Sequence, residues 1–209
     1  MKFKFLQCVV VLLCVVQGAI AQTYLGVSGG AGLNNQVGLR ASIPIEHIVS
    51  KSFSVRAAAT FTQHHNPEIL FLLHNKRDYR RVTLSYLGIP LHAKFRLSLG
   101  TVHLYGVIGP QINYATHLTA SYLEDEIFGT EKLDFNQLKI RHWDIGINAG
   151  AGIEKNITNN CKIYVEVLLF LGLQDIDERS NSEIFNEGNI FNLGFLLPIV
   201  PNIIRQNRQ

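Results

Sequence analysis

The chain has 209 residues, 47% of them hydrophobic and 17% charged, with 17 glycines, 6 prolines, 3 cysteines and 1 tryptophan. That balance excludes an intrinsically disordered or collagen-like chain. Lysine and arginine number 19 against 16 acidic residues, so the basic excess with which a nucleic-acid binder neutralises phosphates is missing, and the length suits one domain.

Lys2 and Lys4 precede an apolar run from Leu6 to Val16, and Gly18-Ala19-Ile20-Ala21 supplies the small residues that a signal peptidase reads. The pattern predicts a secretory signal peptide over 1–21 and a single exported domain over 22–209. The run is shorter than the roughly 20 residues a spanning helix needs. Removing it takes away Cys8 and Cys14 and leaves Cys161 alone, so no internal disulfide can staple the domain.

The rest of the chain alternates with a period of two. A glycine-rich first strand runs from about Tyr24 to Gly32, and Val37, Leu39, Ala41 and Ile43 then oppose Gly38, Arg40, Ser42 and Pro44. Phe53, Val55, Ala57, Ala59 and Phe61 oppose Ser54, Arg56, Ala58 and Thr60. Leu87 to Leu97 and Val102 to Asn113 repeat the pattern, with Pro90, His92, Lys94 and Arg96 on the polar side of the first. Trp143, Ile145, Ile147, Ala149, Ala151 and Ile153 oppose Asp144, Asn148 and Glu154; Ile163 to Leu171 oppose Lys162, Tyr164 and Glu166; Phe191 to Leu197 oppose Asn192 and Gly194. A helix would place its apolar residues three and four apart, and these do not. Eight strands are predicted.

Ser98-Leu99-Gly100 and Ile157-Thr158-Asn159-Asn160 are tight turns, Glu46 to Lys51 is a middling one, and Gln63 to Arg80, Thr119 to Gln137 and Gln174 to Gly188 are long and polar. An antiparallel meander gathers the long loops at one end and the short turns at the other, the asymmetry of outer-membrane barrels. The expected fold is all-β: an eight-stranded antiparallel up-and-down transmembrane β-barrel in the cell outer membrane.

Several stretches carry a resemblance: Tyr86-Leu87-Gly88-Ile89-Pro90-Leu91-His92-Ala93-Lys94-Phe95, Ile108-Gly109-Pro110, Asp144-Ile145-Gly146 with Gly150-Ala151-Gly152-Ile153-Glu154, and Leu171-Gly172-Leu173-Gln174-Asp175-Ile176. In this order and spacing they resemble the PorT-like outer-membrane β-barrel family of Gram-negative bacteria. The resemblance implies a barrel in the outer membrane and, from the founding members, support for the secretion of exported proteins. No residue here matches one that carries that role.

Alternation does not say whether the apolar face meets lipid or lines a soluble calyx; charge placement bears on it. With the polar face inward, Arg56, Lys94 and Arg96 lie near the short-turn end of two strands, opposite Glu154 and Glu166 on two others. Opposite charges would meet across a narrow lumen of low dielectric, whereas a calyx for an apolar ligand would put them outside. Phe53 and Phe95 at the short-turn rim, and Phe61, Trp143 and Phe191 at the loop rim, fit two aromatic girdles. Inward Gly88, Gly146, Gly150 and Gly152 would make room for Tyr105 and Tyr164, and eight strands leave a lumen filled by side chains.

Gly26 to Gly32 lacks the Lys and Ser or Thr of a phosphate loop and reads as a strand. His64, His65 and His74 share a loop, but adjacent histidines are poorly spaced for one ion, so no metal or cofactor is expected. A lipid hydrolase would need these histidines to meet a serine such as Ser85 and a carboxylate such as Asp78, Glu124 or Asp125, and no serine elbow is present. Asp144, Glu154 and Glu166 read as members of an ion network beside cations rather than as an acid and base pair. The expected partners are outer-membrane lipid and an envelope or secretion-system protein met through the long loops, above all through Thr119 to Gln137 with Tyr122, Asp125 and Phe128. The alternative function is a soluble exported carrier of an apolar ligand.

Overall fold

A computed structural model describes residues 22–33, 37–65, 69, 79–124, 127–158, 161–178 and 184–199. The elements in chain order are β1 (Gln22–Gly32), β2 (Val37–Ile48), β3 (Phe53–His65), β4 (Tyr79–Leu99), β5 (Val102–Glu124), β6 (Ile127–Lys132), the one-turn helix α1 (Phe135–Leu138), β7 (Trp143–Thr158), β8 (Cys161–Gly172) and β9 (Glu187–Pro198). Every pairing is antiparallel, with registers such as Ala57 opposite Leu91, Ile108 opposite Ala149 and Val27 opposite Phe195. β1 pairs with both β2 and β9, and β4 with both β3 and β5, so eight strands close into a ring while β6 hangs on β5 alone. The predicted signal peptide over 1–21 lies outside the described residues.

Closure satisfies the backbone, because a ring leaves no row of unpaired N–H and C=O groups facing hydrocarbon. The faces then sort in the reverse of a water-soluble protein. Leu39, Ile89, Leu91, Phe95 and Leu193 stand on the outside with half or more of their surface exposed, 68% for Ile89. Arg56, Lys94, Glu154 and Glu166 are buried inside, Lys94 completely. In water this would expose the groups that gain from burial and bury those that lose by it. Against lipid it is the stable arrangement. On β4 the apolar outer face runs from Leu87 to Leu97, which at the tilt of such strands is about 25 Å tall, the height of a hydrocarbon core. Phe53 and Phe95 pack with tilted rings, centroids 5.2 Å apart, at the short-turn rim. Tyr114 and Trp143 meet edge to face with centroids 5.0 Å apart at the loop rim, where Phe61 and Phe191 also face outward.

Small residues inside allow large ones opposite. A Cβ on Gly152 would strike the ring of Tyr105, and one on Gly194 the ring of Tyr164. At the β4–β5 turn Gly100 takes a positive φ of 67°, which suits a two-residue hairpin turn.

The long connections depart from the expected polar loops. β4 begins at Tyr79 and β5 continues to Glu124, both well past the apolar belt. Thr119 to Gln137 is therefore not a loop: it comprises the end of β5, the β5–β6 hairpin and the start of α1. Asp134 caps that helix by accepting the Asn136 N–H at 2.9 Å, and Lys139, at φ 53°, ends it. The extensions bury apolar side chains among themselves. Val82 and Leu84 of β4, Leu118 of β5, Phe135 of α1, and Ile176 and Ile184 of the last connection form one core above the belt. Backbone bonds tie it together: the Arg141 N–H donates to the Ile176 carbonyl at 2.8 Å, and the Ile176 N–H to the Ile184 carbonyl at 2.9 Å. The barrel thus carries an apolar-cored cap on its loop side. The middling turn is also shorter than expected, because β2 reaches Ile48 and takes Glu46 into the barrel.

Candidate functional site

Alternation along β2, β3, β4, β7 and β8 aims the charged residues into the lumen, where they meet across it. Near the short-turn end Lys94 Nζ donates to Glu46 Oε2 at 2.8 Å and also bonds Glu154. Arg96 Nη2 donates to Glu46 Oε1 at 2.7 Å, and its Nε stands 2.6 Å from Glu154 Oε1. Lys162 Nζ lies 4.0 Å from Glu154 and 4.0 Å above the Tyr24 ring. One step further in, Arg56 Nη2 donates to Glu166 Oε2 at 2.7 Å, and the Tyr105 hydroxyl donates to the same oxygen at 3.1 Å. All five predicted lumen residues therefore make ion pairs across or along the barrel wall. Sequence reasoning missed Glu46 as a member by assigning it to a turn; its even-numbered place after Arg40, Ser42 and Pro44 is the signal that puts it on the inner face.

Asp144 corrects an expectation. It is wholly buried, and no cation among the described residues pairs with it. Its Oδ2 accepts from Asn186 Nδ2 at 2.9 Å, and the same amide nitrogen is 2.8 Å from the Tyr86 hydroxyl. Asn186 comes from the cap, so Asp144 joins cap to barrel through an amide rather than serving the ion network. Between these levels Asn148 Nδ2 donates to Gln111 Oε1 at 2.6 Å, and Gln111 bonds Asn113.

The histidines of β3 diverge. His64 points inward and packs edge-on against Tyr86, with centroids 5.5 Å apart, while His65 points outward to Thr83, its Nδ1 3.0 Å from the hydroxyl. His74 and Asp78 lie outside the described residues. Among the described residues no three potential metal ligands converge. Ser85 sits on the outward side of β4, where its carbonyl accepts the Thr116 hydroxyl at 3.0 Å. No side-chain hydrogen bond links it to a histidine among the described residues.

Of the three residues predicted to meet a partner, Tyr122 is half-buried, opposite Gly129 in the hairpin, its ring edge-on to Tyr79 at 6.2 Å. Phe128, on β6, is 79% exposed. Asp125 lies outside the described residues. β6 is the last strand in the sheet order and pairs only with β5, so its far edge is open among the described residues.

The barrel is similar to solved outer-membrane barrels at low sequence identity. The N-terminal β-barrel domain of Pseudomonas aeruginosa OprF shares 12% identity, with 85% of this chain and 96% of that one covered at a TM-score of 0.44. Neisserial surface protein A (NspA) shares 13%, with 85% and 94% covered at 0.44. Ail, the attachment invasion locus protein of Yersinia pestis, shares 12% in its complex with the heparin analogue sucrose octasulfate, with 85% and 97% covered at 0.42. No curated protein matches the chain by sequence. The family model described as outer membrane protein beta-barrel domain matches residues 20–178, three quarters of the chain, with the lumen charges from Arg40 to Glu166 inside the match. With its lipid-facing belt and closed eight-stranded ring, the chain belongs to the outer membrane protein β-barrel domain family.

Proposed function

We propose that this outer-membrane barrel is a non-enzymatic platform whose cap presents the β5–β6 hairpin to a protein partner. One observation carries the reading: a strand with an open edge and an almost fully exposed Phe128 stands on a hairpin whose base is packed into the cap. An open edge offers main-chain donors and acceptors to an extended segment, and an exposed aromatic beside it supplies an anchor. A filled, ion-paired lumen suits a platform rather than a diffusion pore. The finer role, accessory to the secretion of exported proteins, rests on the PorT-like sequence stretches and would make the partner an envelope or secretion-system component.

Affinity capture of the native complex from cross-linked cells tests this. Phe128→Ala should leave heat-modifiable migration and carbonate-resistant membrane association intact while losing the captured partner. Full capture by the variant would contradict the hairpin's role. The alternative of a soluble carrier for an apolar ligand predicts release by sodium carbonate, and the apolar outer face of the barrel argues against it.

A further inference from the structure

We propose that the outward face of β3 to β6 above the belt binds the phosphate-bearing headgroups of anionic lipid in the outer leaflet. The strand registers build the surface. His65, Thr83, Thr119 and Lys132 stand opposite one another across β3, β4, β5 and β6, and Arg81, Ser121 and Thr130 form the next row up. Residues opposite each other share a side of the sheet. Val82, Leu84, Leu118 and Ala120 alternate with them and are buried in the cap, so both rows face away from it. Arg81, Lys132 and Thr130 are exposed.

The neighbouring carboxylates are engaged elsewhere. Glu131, between Thr130 and Lys132, takes the opposite face, where it accepts the Tyr79 hydroxyl at 3.1 Å, and Asp134 accepts the Asn136 N–H at the start of α1. Among the described residues neither Arg81 nor Lys132 makes an ion pair. The rim is not cationic all round, since Glu187 of β9 is exposed on the outward side, opposite Leu171. Height selects lipid as the occupant. Thr83 lies about 10 Å above Leu87, the first belt residue of β4, at the tilt of such strands. Headgroups extend the bilayer by roughly 5–8 Å beyond the hydrocarbon on each side. The Lys132 stem is long enough to bring its ammonium down into that layer, and Arg81, one row higher, stays within a Debye length of it. Cations so placed attract anionic headgroups, and the hydroxyls beside them are donors for phosphate oxygens. The surface is separate from the open edge of the hairpin, so it does not depend on a protein partner there.

The lone tryptophan supplies the test, because β6 and β7 pair with the same side of β5 and Lys132 stands above Trp143. The whole exported chain is folded into vesicles of phosphatidylglycerol and phosphatidylcholine in equal parts, with bromine on one lipid or the other. Bromine on phosphatidylglycerol should quench Trp143 about twofold more than bromine on phosphatidylcholine, and added sodium chloride should shrink the difference. Arg81→Gln with Lys132→Gln should equalise the two lipids while heat-modifiable migration stays intact. Lys51→Gln with Lys155→Gln, at exposed lysines of the short-turn rim, should leave the difference in place. A difference that survives the first pair of substitutions, or is lost with the second, overturns the assignment to this face. Equal quenching by both lipids in the unaltered protein overturns anionic lipid as the occupant and leaves the face to an acidic protein segment, without touching the belt itself.

Discussion

β4 passes through two solvents, and its two ends are built by opposite rules. Above the belt its inner face carries Val82, Leu84 and Tyr86 and its outer face Arg81, Thr83 and Ser85; within the belt the inner face carries His92, Lys94 and Arg96 and the outer face Leu87, Ile89, Leu91 and Phe95. The exchange falls between Tyr86 and Leu87, beside Tyr114 and Trp143 of the loop-side girdle. What lies outside the strand decides what can lie inside it. Where water bathes the outer face, apolar side chains must retreat into a core, and the cap results. Where lipid bathes it, burial of apolar groups gives no advantage over exposure, and the interior can hold charges provided they neutralise one another.

The comparison breaks most easily at its charged end. Glu166→Gln leaves Arg56 without its carboxylate and should destabilise the barrel by about 3–5 kcal/mol in denaturant unfolding, whereas Glu187→Gln, at an exposed carboxylate, should change little. Equal effects would show that the lumen charges are not held as pairs. At the cap, Leu118→Ala removes a fully buried side chain and should cost about 2–5 kcal/mol of local stability. The expected readout is faster proteolysis of the β5–β6 region with heat-modifiable migration of the barrel unchanged; loss of both together would make cap and barrel one cooperative unit.

Two substitutions sharpen the boundary. Leu91→Arg places a charge on the outer face inside the belt and should cost about 2–4 kcal/mol in folding into lipid vesicles, while Thr83→Arg, on the same face above the belt, should cost under about 1 kcal/mol. A smaller effect than that of Leu91→Arg is expected at Gly152→Ala, where the new methyl meets the Tyr105 ring and the Val165 carbonyl and overpacking should cost about 1–3 kcal/mol in the same assay. A neutral result there would mean that Tyr105 can swing aside and the β8 backbone at Val165 can give way.

The barrel was legible in the sequence because its signal is local. A period of two along Trp143 to Ile153 or Ile163 to Leu171 needs no knowledge of other strands, and it sends Lys94 and Glu154 to the same interior whichever strands are neighbours. The cap was not legible, because Leu118, Phe135, Ile176 and Ile184 come from separate segments that show no common period and sit among polar residues. Asp144 shows the same limit inside the barrel. Parity places it inward, but whether a cation stands beside it depends on how high Arg40 sits on another strand, and that follows from the register of the whole ring. The hairpin was half visible: Tyr122 and Phe128 stood out as aromatics in a polar stretch, while the pairing of Tyr122 with Gly129 that makes β6 a strand needed the structure.

The central claim, that the apolar face meets hydrocarbon while the charges close on each other within, is tested most directly through the lone tryptophan. Trp143 is 55% exposed on the outer face at the loop-side girdle. In vesicles of brominated phospholipid its fluorescence should be strongly quenched, most by bromines placed near the headgroup, and aqueous iodide should quench it weakly. Ready quenching by iodide with no effect of brominated lipid would contradict the account.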